Sequence, residues 1–278
     1  MMSCPFMGTK GPAPGAKSSM RYGDYLKLDA ILDCQNPLSD VPDELLFIIQ
    51  HQTTELWMKL LLHELTRASS MMRAGRIEHS LKALYRAQRT MDHMIHAWSV
   101  LATLTPVEFL AMRPSLGSAS GHQSVQFREI EFLLGNKNIA CLAEHAGDQR
   151  SLHSLQSRLF APSLYDEVVT ILASHGLDVS PERLQADPCL ATQYDPSVEH
   201  AWLTVYRTPD AHWQLFELGE RLVDLEDSFK NWRSRHVSTV ERVIGHRPGT
   251  GGTDGVNYLR KTQETVLFPE LWRLRTAL

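Results

Sequence analysis

Between Pro42 and Gly75 the chain carries no glycine or proline, and the run is rich in Leu, Met, Glu, Gln and Lys. Such side chains keep most of their rotamer freedom in a helix, so the stretch predicts one long helix. A second tract, residues 210–244, is interrupted only by Gly219 and stops at Gly245, which predicts another. Ile77, Leu81, Leu84, Met91, Ile95 and Trp98 recur at three- and four-residue steps, the apolar stripe of a further helix that Thr105-Pro106 is expected to close.

The remaining signals are also helical. A Ser-Ala-Ser-Gly turn at 118–121 leads into HQSVQFREIEFLL, with Gly135-Asn136 as its stop. Ser163 and Asp166 have the spacing of a capping box, Leu164, Val168, Ile171 and Leu172 share a face, and Gly176 follows. Residues 177–198 hold Pro181, Pro188 and Pro196 with little periodicity and are read as a connection with short turns. After the loop GTGGTDG the tail predicts one helix, a Phe268-Pro269 break and a last short helix. No segment alternates β-branched and polar residues between turn signals, so the expected fold is all-α, a bundle of long helices.

Composition narrows the function. The 28 Lys+Arg are outnumbered by 32 Asp+Glu, a formal charge of −4, so there is no basic surplus to neutralise a phosphate backbone and nucleic acid is not an expected partner. The longest apolar run, residues 45–49, is far below the ~20 residues of a bilayer crossing, so no membrane span is expected. Cys4, Cys34, Cys141 and Cys189 are scattered, which fits reduced thiols in a cytoplasmic protein better than a disulfide scaffold. Residues 1–20 lack the apolar centre of a signal peptide and read as a mobile leader, leaving 21–278 as one helical domain.

Familiar catalytic patterns are missing. His63-Glu64 does not extend to HExxH, no GxSxG occurs, and without CxxCH any haem must be held non-covalently. GTGGTDG follows a helix and lacks the Gly-Lys-Ser/Thr end of a phosphate loop, so a flexible loop over a pocket is the better reading. His93 and His96, at i,i+3, need a third ligand to hold a metal. His51 follows the apolar run 45–49, and His236 shares a helical face with Phe229, Trp232, Val240 and Val243. Two such imidazoles on separate long helices suit the two sides of a flat cofactor, or are simply satisfied core histidines; the pattern alone leaves both open.

Several blocks resolve that choice. YGDYLKLD at 22–29, LLFIIQHQTTELWMKLLLHEL at 45–65, SGHQSVQFREIEFLLGNKN at 120–138, WRSRHVSTVERVIG at 232–245, GTGGTDGVNYL at 249–259 and FPELWRLRT at 268–276 resemble the tryptophan 2,3-dioxygenase family in order and spacing. Only the stretch of about 139–205 lacks a recognisable match. The resemblance implies a cytoplasmic homotetramer with one haem b per subunit. It also implies tryptophan catabolism by the kynurenine pathway, in which O₂ opens the pyrrole ring of L-tryptophan to give N-formylkynurenine.

On the same resemblance, His236 corresponds to the haem iron ligand and His51 to a distal histidine near the indole nitrogen. Arg113 corresponds to the group that binds the substrate carboxylate, Thr250 to a hydroxyl near the ammonium, and Phe47 to a wall of the indole pocket. Leu116, Trp98, Ser120 and Gly121 match positions around the haem. Tyr22 and Tyr25 match a segment that reaches a neighbouring subunit's pocket.

The chain departs from the family pattern at Phe109 and Phe127, where tyrosine is common, at His122, where an aromatic usually follows Ser-Gly, and in the loop HRPGTGG. Losing a hydroxyl near the pocket makes room for a substituent or changes water access. Two alternatives therefore accompany ring cleavage: a haem monooxygenase that places one oxygen on a substituted tryptophan in specialised metabolism, and a haem-binding sensor or catalytically silent relative.

Overall fold

A computed structural model describes residues 20–278. The expected leader, 1–20, lies outside the described residues except for Met20. The chain divides into two compact units, one ending at Asn36 and one spanning Pro37–Leu278. In the first, α1 (Tyr22–Leu26) and α2 (Leu28–Leu32) meet at Lys27, whose φ of 55° breaks the helix, and neither helix buries a residue.

The larger unit is built on three long helices. In α3 (Glu44–Arg73), Met58, Leu61, Leu65, Ala68 and Met72 form the buried stripe. α4 (Ile77–Leu101) buries Leu84, Ala87, Met91, Met94 and Trp98 and packs on α3 along one side. After the smaller elements described next, α11 (Trp213–Ile244) packs on the other side of α4 through Leu218, Leu222, Leu225, Phe229 and Trp232. Each fully buried side chain of this kind contributes about 1.5–3 kcal/mol, so these two seams dominate the core.

Shorter helices close around that frame. α5 (Pro106–Leu116) begins where the sequence reading placed only an ending. Thr105 accepts from the Glu108 amide, the Glu108 carboxylate accepts from the Thr105 amide, and Pro106 takes the first helical position. A 3₁₀ turn, Gly121–Gln123, leads into α6 (Val125–Leu133), and a 3₁₀ segment, Ile139–His145, precedes α7 (Gln149–Leu159). α8 (Leu164–Ser174) carries the predicted Ser163–Asp166 capping box and ends before Gly176.

The expected connection at 177–198 contains the single turn α9 (Pro181–Leu184) and the start of α10 (Pro196–Arg207), which Asp195 caps by accepting from the Ser197 and Val198 amides. Gly219 of α11 faces α10 so closely that a Cβ there would lie 2.9 Å from Tyr206 Oη. α12 (Val256–Thr262) and α13 (Pro269–Ala277) are the two tail helices expected. Among the described residues there is no strand, and no single helix is long and apolar enough to cross a membrane.

Candidate active site

α3 presents Phe47 and His51 one turn apart. His51 Nδ1 lies 2.7 Å from the Phe47 carbonyl oxygen, which can only accept, so Nδ1 carries the proton and Nε2 keeps its lone pair. Burial lowers the His51 pKa below the usual histidine value, against smaller opposing effects of the Phe47 carbonyl and Glu55. The ring is therefore neutral at pH 7, with Nε2 as an acceptor.

His236 comes from α11 among aromatic neighbours. Trp98 stacks on its ring with centroids 4.6 Å apart and planes 13° apart, and Trp232 tilts against it at 5.5 Å. Burial pushes the His236 pKa down to about 4, and the nearby His51 acts in the same direction. Both imidazoles are uncharged and both border the same cavity.

That cavity, about 940 Å³ including its open mouth, is lined by Phe47, His51, Trp98, Phe109, Arg113 and Leu116, and by Ser120, Gly121, His236 and Thr250. The structure thus brings together the site residues expected from the main unit. Tyr22 and Tyr25 belong to the N-terminal unit, where both are exposed. Phe109 tilts against Phe47 at 6.0 Å, extending an apolar wall that also includes Leu101, Leu104, Val243 and Ile244. On the polar side, Arg113 Nη2 donates to the Pro248 carbonyl and Thr250 Oγ1 to the Ala119 carbonyl, both at 2.6 Å.

A second chamber of about 760 Å³ shares His51, Trp98, Gly121, His122 and His236 with the first. It adds residues that the sequence reading passed over: Arg128 and Glu131 of α6 and Arg233 of α11. Arg128 Nη1 donates to Glu131 Oε2 at 2.5 Å, and Arg233 Nη2 to Glu131 Oε1 at 3.2 Å. Burial works against charge on both guanidiniums and lowers the Arg233 pKa, whereas at Arg128 Glu131, Cys141 and Tyr258 together outweigh it and the pKa is raised. With Glu55 also in the lining, the chamber's two guanidiniums face two carboxylates, yet Arg128 Nε and Arg233 Nε are buried without a hydrogen-bond partner. The available signal was a charged i,i+3 pair inside the apolar run of α6.

Phe127 packs on Trp232 at 5.2 Å in the same chamber. His93 packs on Trp57 at 4.5 Å and His96 Nδ1 lies 2.7 Å from the Asp92 carbonyl. Among the described residues no group of three His, Cys, Asp or Glu could hold a metal ion, so that pair gains no third ligand.

Fold and site together define an all-helical protein with a largely apolar cavity, bordered by the neutral imidazoles of His51 and His236, the Arg113 guanidinium and the Thr250 hydroxyl. The chain belongs to the tryptophan 2,3-dioxygenase family: the family profile of that description matches residues 8–151 and 143–278. A tryptophan 2,3-dioxygenase of Pseudomonas aeruginosa is 53% identical over 288 aligned residues, covering 100% of both chains. One of Cupriavidus necator is 54% identical, covering 99% of this chain and 98% of its own, and one of Burkholderia pseudomallei is 56% identical over 94% and 85%.

Proposed function

We propose that this protein is a haem-dependent oxygenase that opens the indole ring of L-tryptophan with O₂, between C2 and C3, to give N-formylkynurenine. The observation that carries the reading is the pair of neutral imidazoles, His51 and His236, projecting from two long helices onto one apolar cavity. The relatives' shared name supplies the reaction.

The residues fit a haem. His236 offers a ring held neutral by burial, as iron requires, and Trp98 fixes its plane. Arg128 Nε and Arg233 Nε, buried in the second chamber without an acceptor, suit a group bearing carboxylates. Trp98 and Gly121 border both chambers and Ser120 the first, and we assign haem b, one per subunit, with His236 as the iron ligand. When bound, the haem supplies O₂ activation.

The chain's own residues supply orientation. His51 Nε2, its lone pair free while Nδ1 is engaged by Phe47, accepts a hydrogen bond from the indole N–H and sets the ring's rotation. Phe47, Phe109 and Leu116 wall the indole and exclude water. Arg113 exchanges the Pro248 carbonyl for the substrate carboxylate, whose two oxygens match its planar fork, and Thr250 addresses the ammonium end. A homotetramer in the cytoplasm completes the proposal, with Tyr22 and Tyr25 serving a neighbouring subunit's pocket.

Mixing the ferrous protein with O₂ and L-tryptophan tests this. Formylkynurenine absorbance in the near ultraviolet, and a product heavier by two oxygen atoms, are the expected results. A product heavier by one oxygen, or unchanged substrate, would overturn the reading.

A further inference from the structure

The glycine loop borders the cavity through Gly249, Thr250 and Thr253, and three contacts tie it down. Two are the hydrogen bonds from Arg113 to Pro248 and from Thr250 to Ala119. The third is a fit of shape. A Cβ on Gly251 would lie 2.1 Å from His122 Cε1, 2.8 Å from His122 Nδ1 and 2.8 Å from Ser120 Cβ, so the bare backbone rests on the edge of that imidazole and on the Ser120 side chain that holds it. Any side chain at 251 would displace the loop or the ring.

The imidazole is itself held from two sides. Its Nδ1 lies 2.8 Å from Ser120 Oγ, and its Nε2 faces Glu144 Oε2 at 3.4 Å. A neutral ring satisfies both partners at once, with the Ser120 hydroxyl donating to Nδ1 and Nε2–H pointing at the carboxylate. Cε1 lies between the two nitrogens, so pinning both presents that edge to Gly251. His122 is largely buried and borders both chambers. Glu144 stands in the 3₁₀ segment Ile139–His145, outside the blocks that carry the family resemblance.

We propose that His122 is a positioning residue, the seat on which the glycine loop closes over the cavity, with Ser120 and Glu144 clamping its ring. The seat stands on the contacts alone; its effect on L-tryptophan rests on the oxygenase reading. His122 acts on the ligand through the loop, by fixing where Thr250 and the Arg113–Pro248 contact are held.

Hydrogen exchange of the full-length, hemin-reconstituted protein reads the seat without reference to activity. In His122→Ala, amide exchange across 247–253 is expected to rise about fivefold, the size of one lost hydrogen-bond equivalent. The KM for L-tryptophan should rise by a similar factor, with kcat within about twofold, as expected for lost ground-state positioning. Glu144→Gln, at a half-exposed side chain, should move exchange in the same direction by less. Gly251→Ala should loosen the loop by itself and add less than its full effect to His122→Ala, because the imidazole clash is shared while the Ser120 clash remains. Parent-like exchange in both His122→Ala and Glu144→Gln, or fully additive effects of His122→Ala and Gly251→Ala, would overturn the seat. Faster loop exchange with an unchanged KM would support the seat and overturn its effect on L-tryptophan, whereas no turnover of L-tryptophan by the parent would count against the oxygenase reading alone.

Discussion

Trp98 lies flat against His236, one ring from α4 and the other from α11, with centroids 4.6 Å apart. Neither ring can rotate without losing the stack, so the imidazole plane is set by a residue more than a hundred positions away in the chain.

That stack should be measurable as cofactor retention. An aromatic pair of this kind is worth about 0.5–1.5 kcal/mol beyond its buried area. Hemin transfer from Trp98→Leu to excess apomyoglobin is expected to be up to about tenfold faster than from the parent, with Trp98→Phe in between. His236→Ala should lose the five-coordinate ferrous spectrum altogether. Identical transfer rates would remove Trp98 as the support of the ligand.

On the proposed pairing of Arg113 with the substrate carboxylate, Arg113→Ala should weaken L-tryptophan binding by about 2–5 kcal/mol. Arg113→Lys restores little, because a point charge does not reproduce two parallel hydrogen bonds. Titration calorimetry reads both, and parent-like affinity in the alanine variant would take Arg113 out of the site.

Glu270 predicts a pH dependence of stability. Burial raises its pKa to about 7, against the opposing hydrogen bonds from the Asp195 amide and the Tyr165 hydroxyl. The folded value lies above the unfolded one of 4.5, so this group's stabilisation is complete below that pH and is lost as pH rises through about 7. Relative to the parent, Glu270→Gln should gain roughly 3 kcal/mol between pH 4 and pH 8. Urea midpoints that shift in parallel for both proteins would contradict it.

Gly219→Ala tests how closely α10 meets α11. Alanine is the better helix former by ~1 kcal/mol, yet its Cβ would stand 2.9 Å from Tyr206 Oη and 3.1 Å from Trp202 Cζ3. Overpacking of this kind costs about 1–3 kcal/mol, so the variant should denature at lower urea. A stabilised variant would mean that Tyr206 swings aside freely.

The long helices were legible because their apolar stripes are local: the buried positions of α3, α4 and α11 repeat at three and four residues whatever they pack against. α5 was not, because Thr105-Pro106 signals an end and a beginning alike, and only the Glu108 hydrogen bonds decide between them. α7 and α10 were passed over although Asp148 and Asp195 cap them. At the site, His51 and His236 stood out as imidazoles in apolar stripes. The Arg128–Glu131–Arg233 cluster did not, because a charged pair on one helix reads as a solvated face until a second helix buries it.

α4 lies between α3 and α11 and packs on both. The two histidine-bearing helices are thereby joined through a helix that lends the cavity only Trp98 and Leu101. Bulkier or slimmer residues buried along α4, such as Met91 or Met94, would act as shims between α3 and α11, shifting the spacing of the two imidazoles from positions that line neither chamber.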